Sequence, residues 1–85
     1  MDDVVRDLRE RISAVDRELF RLVNERLELV ARLKRHKQEH GYAFVDPDRE
    51  RQLVDEQLAA NPGPLSAEGL RHLHAELLAL TKREV

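Results

Sequence analysis

The sequence is poor in the residues on which many folds and reactions depend. Its 85 residues include no cysteine and no tryptophan, and only three residues are Phe or Tyr. Without cysteine there is no disulfide and no thiol chemistry, and three aromatic rings are too few to stack a run of nucleic-acid bases. No apolar run approaches the ~20 residues that span a membrane, and no signal-peptide pattern is present. We therefore expect a cytoplasmic protein.

Charge and short motifs exclude further classes of function. The formal net charge is −2, with 38% charged residues, so no overall field favours nucleic acid or an anionic membrane as a partner. The sequence also lacks a glycine-flanked nucleophilic serine, a phosphate-binding glycine loop and a dinucleotide fingerprint. If the chain is an enzyme, its chemistry must rest on charged and hydrogen-bonding groups held in place.

One stretch, residues 5–37, carries the clearest pattern. Apolar residues recur at alternating spacings of three and four, without glycine or proline, which predicts one long amphipathic helix with a coiled-coil-like stripe. Arg26 interrupts the series, and a guanidinium on an apolar stripe must find an anion or reach water. The eight aliphatic positions, here called the seam, are Val5, Leu8, Ile12, Val15, Leu19, Leu22, Leu29 and Leu33.

The length of this helix predicts a second chain. Acidic residues at positions 2 and 3 suit a helix start, and His40-Gly41 stops the helix, so helix 1 should span about 3–39 and measure roughly 55 Å. A compact domain of this size has a radius of gyration near ~12 Å. Because such a helix overhangs any globule that the chain can build alone, we expect a homodimer in which another copy covers the seam.

Two shorter helices complete a predicted all-α fold. After a short connection over 41–45, helix 2 is expected over 47–60, with Asp46 as N-cap and Pro47 in its first turn. The Asn-Pro-Gly-Pro segment at 61–64 ends it, and helix 3 should cover about 66–84. The prediction is a single domain, residues 1–85, of one long and two shorter helices.

Arg26 and Lys37 form the first candidate binding site. They share one helix face, about 16 Å apart along the axis and separated by aliphatic residues. Two cations on an aliphatic floor would suit a small molecule with several negative groups. The alternative is that Arg26 pairs with a glutamate while Lys37 extends its ammonium into water at the helix end.

Other polar residues have a structural and a functional interpretation. Arg49 and Glu50 lie at the start of helix 2, where backbone N–H groups bind anions; plain capping by Asp46 is the alternative. Arg9 flanks the seam and would either reach a partner's cavity or form an interhelical salt bridge. Thr81, on the inner stripe of helix 3, would donate to a ligand or bond to a carbonyl one turn earlier.

A metal site and a nucleic-acid site are both disfavoured. His36 and His40 have the i, i+4 spacing of a metal-binding pair, but no third ligand of suitable geometry accompanies them. The basic run at 32–37 is offset by acidic residues elsewhere and has no interleaved aromatics.

An ordered set of segments recurs in a known family. It comprises LRERISAVD at 8–16, LVNER at 22–26, Lys37 and DPDRE at 46–50, and the NPGPLS junction at 61–66 fits the same pattern. In this set the chain resembles the all-α (AroQ-class, type II) chorismate mutase family over nearly its whole length. The resemblance implies an intertwined helical homodimer with two equivalent sites. It also implies the Claisen rearrangement of chorismate to prephenate, for phenylalanine and tyrosine synthesis, without cofactor or metal.

The resemblance implies roles for the cations first. Arg26 would bind one substrate carboxylate, and Arg9 would reach in from the other subunit to bind a carboxylate. Lys37 would contact the ether oxygen and a carboxylate, and Thr81 would lie near a carboxylate.

The same resemblance implies roles for residues of helix 2 and of the last turn of helix 3. Asp46 and Glu50 would lie at the substrate hydroxyl, with Arg49 beside them. The family usually has Gln or Glu one turn after the threonine position, donating to the ether oxygen. Here that position is Val85, with Glu84 adjacent, so either Glu84 serves or the contact is absent.

Two alternative functions and one candidate partner stay open at this stage. Isochorismate-pyruvate lyase uses the same fold for another pericyclic reaction on a closely similar dianion. A non-catalytic helical dimerisation or regulatory module would also use the seam, although such a module gains nothing from an unpaired buried cation. Family precedent also suggests association or fusion with the first synthase of the shikimate pathway.

Overall fold

A computed structural model describes residues 2–43 and 46–85. They form α1 (Asp3–His40), α2 (Pro47–Ala60) and α3 (Ala67–Glu84). The predicted all-α fold of one long and two shorter helices is confirmed. Residues 44 and 45 of the connection expected over 41–45 lie outside the described part of the chain.

The long helix α1 is closed by local signals at both ends. The carboxylate of Asp2 accepts a hydrogen bond from the backbone N–H of Val4 at 2.8 Å, which satisfies one of the unpaired donors of the first turn. Gly41 has a φ of 71°, a left-handed conformation that glycine adopts without a steric penalty. This turn lets the N–H of Tyr42 donate to the carbonyl of Lys37 at 2.8 Å, so the chain leaves the helix there.

The two short helices begin at side-chain caps. Asp46 accepts from the N–H of Arg49 at 3.2 Å and Pro47 occupies the first turn of α2. Ser66 accepts from the N–H of Gly69 at 3.0 Å at the start of α3. Between these helices Asn61 donates to the carbonyl of Leu65 at 2.7 Å, and the peptide bond between Gly63 and Pro64 is cis. The junction thus folds α3 back so that it packs on both α1 and α2.

Helix α3 covers one stripe of α1 and leaves the seam open. The partly buried residues of α1 all lie in its C-terminal half: Val23, Arg26, Leu27, Val30, Ala31, Lys34 and Lys37. None of the eight aliphatic seam residues is among them, and Ile12 and Val15 remain 60% and 67% exposed. Among the described residues no side chain is fully buried. The radius of gyration of 16.7 Å exceeds the ~12 Å of a compact chain of this length.

The opposite face of α1 is charged. Arg21 donates to Glu18 at 2.6 Å and to Glu25 at 3.2 Å. The hydrogen bond from Arg21 lowers the pKa of Glu18, and the same bond raises the pKa of Arg21. Such exposed i, i+3 and i, i+4 pairs add little to stability. Within the described ranges, no helix combines the length and the hydrophobicity needed to cross a membrane.

Candidate active site

Arg26 is fixed by a hydroxyl rather than by an acid. Its Nη1 donates to Oγ1 of Thr81 at 2.5 Å, and that hydroxyl in turn donates to the carbonyl of Leu77 at 2.7 Å. Thr81 therefore bonds back to its own helix and holds the guanidinium at the same time. Within residues 2–43 and 46–85, no carboxylate forms an ion pair with Arg26, so its charge is not neutralised there.

The Arg26 side chain lines a cleft between the helices. The cleft has a volume of about 340 Å³, which lies within the range of small-molecule sites. Five of its eight lining residues are leucines, from α2, α3 and the junction between them, so one cation faces an otherwise largely apolar surface. The lining residues other than Arg26 are Leu53, Gln57, Leu65, Leu70, Leu73, His74 and Leu77.

Lys37 lies on the same side of α1 as Arg26. Both residues are partly buried, and eleven residues separate them, a rise of about 16 Å. Lys37 belongs to the last turn of α1, whose geometry Gly41 fixes. The predicted pair of cations along one face is therefore present in the folded chain, with the second cation near the end of the helix.

The start of α2 carries acidic and basic residues of the predicted site. Asp46 is occupied as the N-cap, and Arg49 lies 3.9 Å from Glu56, a long and exposed ion pair. Glu50 is partly buried and lines a second, shallow cleft together with His74. His74 also lines the cleft of Arg26, so the two clefts share this histidine.

Arg9 lies far from the other predicted site residues. Seventeen residues separate it from Arg26 on the same uninterrupted helix, a rise of roughly 25 Å. A single arginine side chain does not bridge that distance, so Arg9 cannot contact the Arg26 cleft of its own chain. It lines a separate shallow surface with Arg6, Ser13 and Arg17.

Sequence reasoning missed the contact between Lys34 and the end of α3. Nζ of Lys34 donates to the main-chain oxygen of Val85 at 2.9 Å. Lys34 lies eight residues after Arg26 and one turn before Lys37, a spacing that points to the same side of α1. That spacing is present in the sequence, but Lys34 lies in the basic run at 32–37, where nothing else distinguishes it from the neighbouring cations.

His74 is the other residue whose environment the sequence did not reveal. Its Nε2 is buried and has no hydrogen-bond partner among the described residues. An unsatisfied buried polar atom costs about 1–3 kcal/mol, whereas an apolar ring of similar shape avoids this cost. We expect His74→Phe to raise the free energy of unfolding by about 1 kcal/mol, measured by urea denaturation. A lower free energy of unfolding would mean that Nε2 has a partner in the assembled protein.

The histidines near the end of α1 stack rather than form a ligand cluster. The rings of His36 and His40 have centroids 4.2 Å apart, and Tyr42 lies 5.7 Å from His40. In the part of the chain that the structure describes, no three His, Asp or Glu side chains are placed to hold one metal ion.

Known proteins are similar to this sequence over part of their length. The chorismate mutase type II family model matches residues 8–84. The chain is 36% identical over 67 residues to the T-protein of Haemophilus influenzae, which covers 78% of this chain and 18% of that protein. It is 30% identical over 79 residues to the bifunctional chorismate mutase/prephenate dehydratase of Aquifex aeolicus, covering 88% and 22% respectively. The chain thus spans about a fifth of the length of these two relatives.

Solved structures show the same fold over whole chains. Form I of chorismate mutase from Thermus thermophilus superposes with a TM-score of 0.88 and 34% identity, covering 93% of this chain and 99% of that one. Form II gives a TM-score of 0.90 and 33% identity, covering 95% and 92%. With nearly the entire sequence matched, the chain belongs to the chorismate mutase type II family.

Proposed function

We propose that this chain, as one domain, is a chorismate mutase, an isomerase that rearranges chorismate to prephenate in phenylalanine and tyrosine synthesis. The observation that carries the proposal is the state of Arg26. Its guanidinium faces a leucine-lined cleft, is oriented by Thr81, and has no carboxylate partner among the described residues. A cation kept un-neutralised beside an apolar wall suits an anionic substrate with a hydrocarbon ring.

The reaction fits a site without a nucleophile. The rearrangement is pericyclic, so it needs neither a covalent intermediate nor a proton transfer. Its substrate is a dianion, and negative charge grows on the ether oxygen as the carbon–oxygen bond breaks. A cavity that enforces the folded conformer and fixed cations aimed at that oxygen lower the barrier. We assign Arg26 to a carboxylate and Lys37 to the ether oxygen and a carboxylate.

The remaining residues would recognise the rest of the substrate. Glu50, with Asp46 nearby at the start of α2, would accept from the substrate hydroxyl, and Arg49 would lie beside them. Thr81 would hold Arg26 against its carboxylate. Val85 offers no side-chain donor to the ether oxygen, so we assign that task to Lys37.

We propose further that the working site belongs to an intertwined homodimer. The seam is exposed in the single chain, and burying half-exposed aliphatic side chains is worth about 1 kcal/mol each. Eight of them together are comparable to the whole stability of a small domain, so a second copy that covers them would stabilise the protein strongly. Arg9 would then serve the site of the other subunit, because roughly 25 Å of helix separates it from Arg26 in its own chain.

The test of the proposed function is turnover by the purified chain with two substrates. Chorismate should disappear with formation of prephenate, whereas isochorismate should give no salicylate. Salicylate formation would instead identify an isochorismate-pyruvate lyase. A bicyclic dianion that mimics the transition state should raise the melting temperature. No turnover of either substrate and no thermal shift would identify a helical dimerisation module.

The proposed activity is the basis for inferring the location of this chain and its protein partners. A cytoplasmic location suits an enzyme whose substrate and product are both soluble anions. The Aquifex aeolicus relative is named for two activities carried by one protein. Association or fusion of this chain with the first synthase of the shikimate pathway is a proposal that co-purification would test.

A further inference from the structure

Two cations of α1 converge on the last turn of α3. Arg26 donates to Oγ1 of Thr81 at 2.5 Å, and Lys34 donates to the main-chain oxygen of Val85 at 2.9 Å. The two donors are eight residues apart on α1, about 12 Å, but their acceptors are only four residues apart, about 6 Å on α3. Each bond joins parts of the chain more than 50 residues apart in sequence.

The contact of Lys34 lies in the turn of α3 that contains Thr81. A lysine ammonium that donates to a main-chain oxygen forms a charge-assisted hydrogen bond, which is stronger than a bond between neutral groups. In α3 the N–H of Val85 donates to the carbonyl of Thr81 at 2.9 Å. The turn that Lys34 holds at one end therefore contains the hydroxyl that holds Arg26.

We propose that Lys34 is a positioning residue, which clamps the last turn of α3 onto α1 so that Thr81 keeps the Arg26 guanidinium aimed into its cleft. No carboxylate among the described residues fixes Arg26, so its orientation depends on Thr81. A helical turn held by few contacts otherwise opens with little free-energy cost. The kinetic part of this inference rests on the proposed function, but the clamp itself does not.

A double-mutant cycle separates positioning from a general loss of stability. Lys34→Met keeps the length of the side chain and removes the ammonium, and Thr81→Val keeps the shape and removes the hydroxyl. We expect Lys34→Met to lower kcat/KM for chorismate about tenfold in the native background, but less than about twofold in Thr81→Val, because the group through which it acts is gone. Lys34→Arg should restore most of the loss. Equal losses in both backgrounds, or no loss, would overturn the inference.

A substrate-free measurement tests the clamp by itself. Backbone hydrogen exchange at residues 83–85 should become about tenfold faster in Lys34→Met, since a charge-assisted hydrogen bond to this turn is lost. Lys82→Met is the matched control, because Lys82 is an exposed lysine of the same turn. In this variant, hydrogen exchange at residues 83–85 should stay unchanged. Unchanged exchange in Lys34→Met would refute the clamp even if the chain converts no chorismate. Faster exchange without turnover would instead refute only the proposed function.

Discussion

Replacing Lys37 with alanine is expected to lower kcat/KM for chorismate at least 100-fold while the helical content and the oligomeric state stay unchanged. The ammonium would face the oxygen on which negative charge grows, so its interaction is stronger in the transition state than in the bound substrate. Losing one such preorganised donor typically costs about 3–4 kcal/mol, or 10²–10³ in rate. Arg26→Ala should cost as much, because it removes the cation that binds a carboxylate.

Arg35→Ala supplies the matched control for both variants. Arg35 is an exposed cation of the same helix, and its position falls on the side opposite the seam. Its removal changes the net charge by the same amount and should leave kcat/KM within about twofold of the native value. Near-native turnover in Lys37→Ala or Arg26→Ala, with circular dichroism and sedimentation unchanged, would contradict the assignment.

The second large effect is expected at the seam. Leu19, 48% exposed in the single chain, would lie between two copies in the proposed dimer. Leu19→Asp would bury an unpaired carboxylate from each copy, at a cost of about 3–5 kcal/mol for each. We expect the dissociation constant of the dimer to rise at least 100-fold, so that sedimentation detects a monomer at micromolar concentration. Activity should fall as the dimer is lost.

Asn24→Asp adds the same charge to the other side of α1. Asn24 is exposed, and its side chain donates to the carbonyl of Phe20 within the same helix at 3.0 Å. Because this position faces away from the seam, the dimer should survive with nearly native activity. If Leu19→Asp sedimented as the native protein does, the seam would not be an interface between copies.

Local signals made most of the fold predictable. The 3–4 spacing of apolar residues in 5–37 depends only on the period of the helix. Each of the caps at Asp46, Ser66 and Gly41 involves atoms only a few residues apart. The all-α fold and the order of the helices therefore follow from short-range chemistry, and the resemblance in residues 8–50 pointed to the family that the comparisons show.

Contacts across the fold were not predictable in the same way. Arg26 and Thr81 are 55 residues apart, and the pattern allowed a glutamate partner for Arg26 as readily as a hydroxyl. The sequence also did not reveal that α3 would cover the stripe containing Val23, Leu27 and Val30 rather than the seam beside it. The contacts of Lys34 and His74 depend on how α3 packs. Sequence periodicity predicts which residues share a helix face, but it does not predict which element packs against that face.

In the proposed dimer each site takes Arg26 and Lys37 from one chain and Arg9 from the other. Subunit complementation tests it directly. Arg9→Ala and Arg26→Ala chains, each expected to be nearly inactive alone, are unfolded and refolded together in equal amounts. Half of the dimers are then mixed, and each mixed dimer has one complete site, so about a quarter of the native activity should return. A mixture no more active than its parents would contradict a site shared between two chains.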